Sequence, residues 1–360
     1  MPTDVTTIVL TGGPCGGKTT ALAHLEWELP RHGVRVITVP EAARMLMSSG
    51  LIPAQVGWGA FQEAILRTQL AHEDTFRSLA SRYESGPTVM LCDRGAIDNR
   101  AYVSEEVFQN LLDHVGVKLT EVRDNRYDAV LHLLTAASGA EAHYVQDNER
   151  LESLEDARRL DQATQHAWVG HPHLRVIDNS TDFEGKKQRV LDEVLRILGL
   201  PVPLEIERKY IIERWVLKKL PAHAQMVEVE QYYLDGSGDA YQERIRRRTQ
   251  HGCSVFYRTY KVKVGTGVNE EREWRITEEE FNLERDTRAL TRVCKNRWCF
   301  LYEHQYFELD DFSPMGRDLC LMELELTHEQ QTPVFPDWMG KVIDVTDNPS
   351  YGNYALAFPV

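Results

Sequence analysis

The sequence predicts two successive domains. The first is an α/β domain built on a parallel sheet. The second is a domain of many strands whose charged faces line a shared interior. Three observations predict this. The first half alternates short apolar runs with longer amphipathic stretches, the rhythm of strands joined by crossover helices. The second half carries many strands of strict period-2 alternation in which every other residue is charged. Between them GLPVP (199–203) reads as a linker. The expected boundaries are 1–199 for the first domain, 200–204 for the linker and 205–360 for the second domain, and 360 residues suffice for both.

In order along the chain, VTTIVL (5–10), VRVITV (34–39), TVMLC (88–92), AVLHLL (129–134) and LRVI (174–177) read as buried strands. Val190, Leu191, Val194, Leu195 and Leu198 fall at helical spacing, and Gly199 and Pro201 stop that helix. From 204 onward the strands carry their charges in pairs: E-x-E, R-x-R, K-x-K and K-x-R.

Composition excludes several classes of function. Lys plus Arg is 41 against 55 Asp plus Glu, a formal net charge of −14, so a nucleic-acid duplex is not an expected partner. No apolar run approaches the ~20 residues of a membrane helix, and the N-terminus has no signal-peptide pattern. The six cysteines (Cys15, Cys92, Cys253, Cys294, Cys299, Cys320) form no CxxC pair, which fits a reducing cytoplasm.

Chemistry enters first at GGPCGGKT (12–19), which matches G-x-x-x-x-G-K-[ST] between a strand and a helix. Gly12, Gly13, Gly16 and Gly17 let backbone N–H groups wrap phosphates, and the helix start adds positive partial charge. Lys18 would reach the outer phosphates and Thr19 would hold Mg²⁺, with Thr20 beside them. VPEAAR places Glu41 at a strand's carboxyl end, as a general base for an acceptor hydroxyl or simply a helix-start carboxylate. TVMLCDRG supplies Asp93 for Mg²⁺ or water and Arg94 for a phosphate or a substrate acid, with Asp98 a further candidate. Arg150, Arg158 and Arg159 lie in a charged helical stretch at 149–160 that suits either a lid over phosphate or a solvated face.

At these residues the first half resembles P-loop small-molecule kinases, nearest the AAA-type family with ribosylnicotinamide-kinase-like domains. Thymidylate and deoxynucleoside kinases are more distant. The resemblance covers roughly 5–198 and implies ATP and Mg²⁺. It leaves two readings open: a kinase of a nucleoside-like small molecule, or a regulatory ATP sensor.

In the second half EIERK (205–209) sets Glu205, Glu207 and Lys209 on one strand face. ERIRRR sets Arg244, Arg246 and Arg248 together, YKVKV Lys261 and Lys263, and EREWRI Glu271, Glu273 and Arg275. KNRW gives Lys295 and Arg297, FELDD gives Glu308 and Asp310, and LMELEL gives Glu323 and Glu325. Basic and acidic faces in one interior suit a polyphosphate gripped by cations beside a metal held by carboxylates.

These segments, in this order, resemble the CYTH superfamily, the triphosphate tunnel metalloenzymes. EIERK matches its opening E-x-E-x-K signature, and WMGKVIDVTDNPSYGNYALA looks like its closing segment. The resemblance covers about 204–357. It implies an eight-stranded antiparallel tunnel that hydrolyses inorganic tripolyphosphate or a nucleoside or thiamine triphosphate, or that cyclises ATP. It implies Mg²⁺ or Mn²⁺ on Glu205, Glu207, Glu323 and Glu325, with Glu273 and Asp310 supporting. It also implies phosphate binding by Arg244, Arg246, Lys261, Lys263, Arg275, Lys295 and Arg297, and a catalytic or positioning role for Lys209.

Overall fold

A computed structural model describes residues 5–83, 86–144, 153–200, 204–238, 241–265, 268–327 and 331–358, with the backbone alone at Leu204 and Glu205. The chain divides between Val194 and Leu195 into two compact units.

The first unit is a five-stranded parallel sheet in the order β2-β3-β1-β4-β5. Its strands are β1 (Val5–Thr11), β2 (Arg35–Val39), β3 (Thr88–Asp93), β4 (Ala129–Leu133) and β5 (Leu174–Ile177). All five were legible as apolar runs. Ile8, Leu10, Val89, Leu91, Val130 and Leu131 are fully buried, as a sheet covered on both faces requires. The helices are α1 (Lys18–Glu28), α2 (Ala42–Ser48), α3 (Pro53–Val56), α4 (Trp58–Ala80), α5 (Glu105–Val115), α6 (Leu119–Asp124), α7 (Leu154–Ala167) and α8 (Phe183–Ile197). Local chemistry sets their ends. Ser104 and Ser153 cap α5 and α7 by accepting from Val107 N–H and Asp156 N–H. The charged stretch expected as a helix over 149–160 begins at Leu154 in the structure, because Ser153 is its cap and its first turn carries Glu155 and Asp156.

The second unit is a closed antiparallel barrel. Its eight strands are β6 (Leu204–Ile212), β7 (Gln225–Leu234), β8 (Tyr241–Gln250), β9 (Cys253–Gly265), β10 (Val268–Ile276), β11 (Ala289–Tyr302), β12 (Gln305–Asp311) and β13 (Cys320–Glu325). Around the ring the order is β6-β13-β12-β11-β7-β8-β9-β10, and β10 returns to β6. The short β14 (Val342–Asp344) pairs with the second half of β6, on the side where β10 borders the first half. Of the linker expected at 200–204, Leu204 belongs to β6, and residues 201–203 lie outside the described residues.

Alternation gathers most of the barrel's charged pairs on the inside and leaves an outside that is apolar where other segments cover it and charged elsewhere. Met322, Leu324, Phe300, Phe307 and Leu309 face outward and pack with Val216 and Met339. Helix α9 (Glu278–Arg288), started by a reciprocal Thr277–Glu280 capping box, lays Phe281 over Leu234, Ile245 and Phe256. The C-terminal α10 (Asn353–Leu356) packs against Tyr233, Val293, Phe312 and Leu321. No helix among the described residues is long and apolar enough to cross a membrane.

Candidate active sites

The first site forms where β1 turns into α1. Gly17 adopts φ +88 there, and a Cβ on it would lie 2.6 Å from the Phe183 ring. A Cβ on Gly12 or Gly16 would strike the Leu133 carbonyl oxygen at 2.2 or 2.5 Å, and one on Gly13 would strike Asp161 at 2.7 Å. All four glycines are therefore required by space, and Gly12 and Gly17 by their positive φ as well. Lys18 Nζ donates to the carbonyls of Gly12 and Gly13 at 2.9 and 3.0 Å, folding back over its own loop. Burial and the charge of Arg94 push its pKa down to about 8. Thr19 and Thr20 are exposed in the first turn of α1.

Strand β3 lies next to β1, with Asp93 in register with Leu10, so its carboxylate ends beside the loop. Burial, reinforced by Glu41, raises the Asp93 pKa, and its Oδ1 is buried without a hydrogen bond. Arg94 takes φ +67 and reaches Glu41 with Nε 3.2 Å from Oε1. Glu41 stands just ahead of α2, so the structure brings Lys18, Glu41, Asp93 and Arg94 together. Asp98 does different work: it accepts from Thr11 Oγ1, Trp168 Nε1 and Gly95 N–H at 2.7, 2.7 and 3.0 Å and is buried as a brace. Arg158 is half exposed and bonds the Ala137 carbonyl and Glu141, while Arg159 pairs with Asp156 at the surface. Arg150 lies outside the described residues.

Sequence reasoning missed Asp161 on α7. Its Oδ1 accepts from Gly13 N–H at 2.8 Å and Thr135 N–H at 3.0 Å and meets His132 Nε2 at 3.1 Å, while Oδ2 accepts from Gln165. Burial alone would raise its pKa, but His132 and these donors hold it down at about 2. Only the fold brings Asp161 across 148 residues to the loop, so no local signal marks it.

The second site is the barrel interior. Strand register puts the charged pairs on one inward surface: Lys209 faces Glu323, Arg297 faces Asp310, and Lys261 faces Glu271. Their contacts form a chain. Arg244 meets Glu271 at 3.3 Å, and Lys261 joins Glu271 to Glu207 at 3.1 and 3.4 Å. Lys209 joins Glu207 to Glu323 at 3.2 and 2.9 Å. Arg297 gathers Glu308, Asp310 and Glu323, and Lys295 completes Asp310. Arg246 binds both oxygens of Glu273, which also accepts from Thr259. Strand β7 supplies the uncharged arc of Val227, Val229 and Gln231.

Electrostatics follow the pairing. Burial opposes the charge on Lys209, but Glu207 and Glu323 outweigh it and hold the ammonium well above its ordinary pKa. Glu323 is likewise pushed far below the usual carboxylate range against burial, by Lys209, Lys295 and Arg297. Lys295 is lowered by burial and by Arg297.

Of the expected metal ligands, Glu273 and Asp310 have cationic or hydroxyl donors on both oxygens. Glu207 and Glu325 stand directly opposite each other in register, a like-charged pair on one face. Glu207 Oε1 is buried with no aligned hydrogen bond, although Lys209 Nζ lies 3.2 Å away. The Glu205 side chain lies outside the described residues. Among the described residues no three carboxylate, imidazole or thiol groups converge as a metal cluster, because ammonium and guanidinium groups span them. The hard oxygen donors of Glu207, Glu323 and Glu325 nonetheless suit a divalent cation, which would relieve the opposed pair. Lys263 is exposed on β9 in register with Asn269, and Arg275 is half-buried in register with Tyr257.

Comparison with known proteins matches each half separately. The model of a family described as an AAA domain matches residues 7–186. A curated inorganic triphosphatase of Nitrosomonas europaea is 32% identical over 159 residues, spanning 43% of this chain and 98% of that protein. A solved inorganic triphosphatase structure is 28% identical with a TM-score of 0.32, covering 43% of this chain and 95% of that one. A Pyrococcus horikoshii structure is 19% identical with a TM-score of 0.30, covering 35% of this chain and 80% of that one. The chain therefore belongs to the AAA-domain family in its N-terminal half and to the CYTH-type family of the Nitrosomonas europaea protein in its C-terminal half, one fused behind the other.

Proposed function

We propose that the barrel hydrolyses a triphosphate, inorganic tripolyphosphate first, and that the P-loop unit binds ATP with Mg²⁺ and phosphorylates a small hydroxylated acceptor. The observation that carries the first part is the chain of ion pairs lining the lumen, drawn from every barrel strand except β7. Such pairs hold cations in place until a polyanion arrives. The incoming phosphates then substitute for carboxylates as partners of Arg244, Lys261 and Lys209 and add to the partners of Arg246, Lys295 and Arg297, so little reorganisation is left to the reaction itself. The name of the Nitrosomonas europaea relative points the same way.

Lys209 is kept protonated by Glu207 and Glu323. It therefore acts as an electrostatic clamp on phosphate and not as a general base. Asp310 and Glu273 serve as anchors that aim Arg297, Lys295 and Arg246 at substrate. Glu207, Glu323 and Glu325, with Glu205, would hold Mg²⁺ or Mn²⁺. That ion supplies charge neutralisation of the phosphates and activation of water when bound.

In the P-loop unit Lys18 exchanges the carbonyls of Gly12 and Gly13 for the outer phosphates of ATP. Thr19 and the orphaned Asp93 Oδ1 suit Mg²⁺. Glu41 and Arg94, already paired beside the loop, give an acceptor hydroxyl a base and its charge a partner. That arrangement favours phosphoryl transfer over ATP sensing alone.

The test is phosphate release by the purified protein from tripolyphosphate, pyrophosphate, ATP and thiamine triphosphate with Mg²⁺ or Mn²⁺, comparing wild type, Glu323→Gln and Lys18→Ala. Orthophosphate from tripolyphosphate is expected, abolished by Glu323→Gln and retained in Lys18→Ala. No release from any triphosphate, or cyclic AMP and pyrophosphate from ATP, overturns the hydrolase reading. Loss of tripolyphosphate hydrolysis in Lys18→Ala, with no acceptor phosphorylated, makes the P-loop unit a sensor.

A further inference from the structure

The C-terminal helix lies on the barrel's inward surface. Leu356 and Ala357 are buried with Tyr233, Val293, Phe312 and Leu321. Val293 and Leu321 each stand two residues from a charged group of the lumen, Lys295 and Glu323, and so share its face. Tyr354 fixes the helix from the side: its hydroxyl donates to the Ser237 carbonyl at 2.9 Å, and its ring meets Tyr233 edge-on at 5.0 Å. Thr291 Oγ1 adds a bond to the Ala357 carbonyl.

One side chain of this helix goes further in. Asn353 Oδ1 accepts from Lys295 Nζ at 3.1 Å, and its Nδ2 donates to Glu323 Oε1 at 3.4 Å. An amide is the group this position calls for. Lys295 needs a neutral acceptor besides Asp310, and Glu323 needs a donor besides Lys209 and Arg297. Only a side chain with both functions serves the two ions at once. Any carboxylate there would repel Glu323, and any ammonium would repel Lys295.

We propose that Asn353 is a positioning residue of the lumen: it holds Lys295 and Glu323 in the geometry a bound triphosphate meets. The inference rests on the triphosphatase reading. Asn353 contacts two of the groups assigned to substrate and need not contact substrate itself.

The test uses the full-length chain in four forms: wild type, Asn353→Ala, Asn353→Asp and Tyr354→Phe. Three quantities are measured on each: kcat and KM on tripolyphosphate, calorimetric affinity for tripolyphosphate without divalent metal, and melting temperature. Asn353→Ala should lower kcat at least about 10-fold, the scale of a small misplacement of reacting groups, with KM nearly unchanged. Asn353→Asp keeps the volume and the Lys295 partner but sets an anion against Glu323. It should weaken metal-free tripolyphosphate binding as well as kcat. Tyr354→Phe removes a bond of the same helix outside the charged chain and should lower the melting temperature while kcat stays near wild type.

Wild-type kcat in both Asn353 variants overturns the proposal and leaves the hydrolase reading standing. A loss of kcat in Tyr354→Phe equal to that in Asn353→Ala reduces Asn353 to helix docking and also overturns it. No phosphate release from wild type removes both readings together.

Discussion

Arg297→Met is the substitution whose cost the structure sets most directly. Arg297 is buried on β11 and donates to Glu308, to both oxygens of Asp310 and to Glu323. Methionine restores most of the volume, so the loss is electrostatic. Asp310 is wholly shielded from water and, among the described residues, keeps Lys295 as its ion-pair partner. Glu308 and Glu323, directly opposed in register, lose the guanidinium that bridges them. Removing one member of a buried ion pair costs about 3–5 kcal/mol, because the remaining charge stays buried and uncompensated. For a domain of this size each kcal/mol lowers Tm by about 2–4 °C, so the barrel should melt roughly 6–20 °C lower. The comparison is Arg272→Met on the outer face of β10, which loses an exposed pair with Glu270 and should cost about 0–1 kcal/mol. Adding Asp310→Asn to Arg297→Met should recover part of the loss. Calorimetry of the full chain, following the barrel's transition, measures all three. Equal shifts for Arg297→Met and Arg272→Met would refute the claim that the lumen's charges are locked in mutual dependence.

Other outcomes follow from the same geometry. Asp161 has a folded pKa of about 2 against an ordinary 3.8. The stability it supplies, about 2 kcal/mol, should be fully present above pH 4 and lost as pH falls toward 2. The stability gap between wild type and Asp161→Asn should therefore close across that window, and a gap constant with pH would contradict this. Lys18, at about 8 without nucleotide, loses its charge as pH rises, so ATP affinity by calorimetry should decline above pH 8; a flat profile to pH 9.5 would count against its phosphate role. Gly17→Ala forces a Cβ onto the Phe183 ring at a left-handed φ and should abolish ATP binding while leaving tripolyphosphate hydrolysis intact. Glu325→Gln removes the like charge opposite Glu207. It should raise the melting temperature in chelator by the equivalent of about 0.2–1 kcal/mol and shrink the added stabilisation by Mg²⁺, which differential scanning measures.

The barrel's interior was legible because a strand's period of two is rigid. Once Lys209, Arg244, Lys261 and Glu323 are placed on strands, alternation alone decides that they share a face with their i±2 neighbours. The same rule separates Arg246 from Arg247, which turns outward to Glu230. Alternation does not say which carboxylate meets which cation. The pairing of Glu273 and Asp310 with arginines, in place of a shared metal position, depends on strand order around the ring. The glycine loop was legible because its spacing is dictated by backbone approach. Asp161 and Asn353 were not: each acts on residues brought near only by tertiary packing, and each sits in a helix whose local pattern is ordinary. Asp98 had the composition of a site residue, but Trp168 and Thr11 donate to its Oδ1 and Gly95 N–H to its Oδ2.

The ring closes at β6. Among the described residues, strand β10 meets β9 through nine register pairs and β6 through three, Val268–Ile206, Asn269–Glu205 and Glu270–Leu204. Beyond Ile206 the same edge of β6 passes to β14, another three-residue partner. One edge of β6 is therefore shared between two strands, β10 beside its first half and β14 beside its second. Glu207 comes just after the described β10 pairs and Lys209 just before the β14 pairs, while β13 runs past both on the opposite edge. The strand that carries the lumen's first carboxylate and its central ammonium is thus held by three separate segments of the chain.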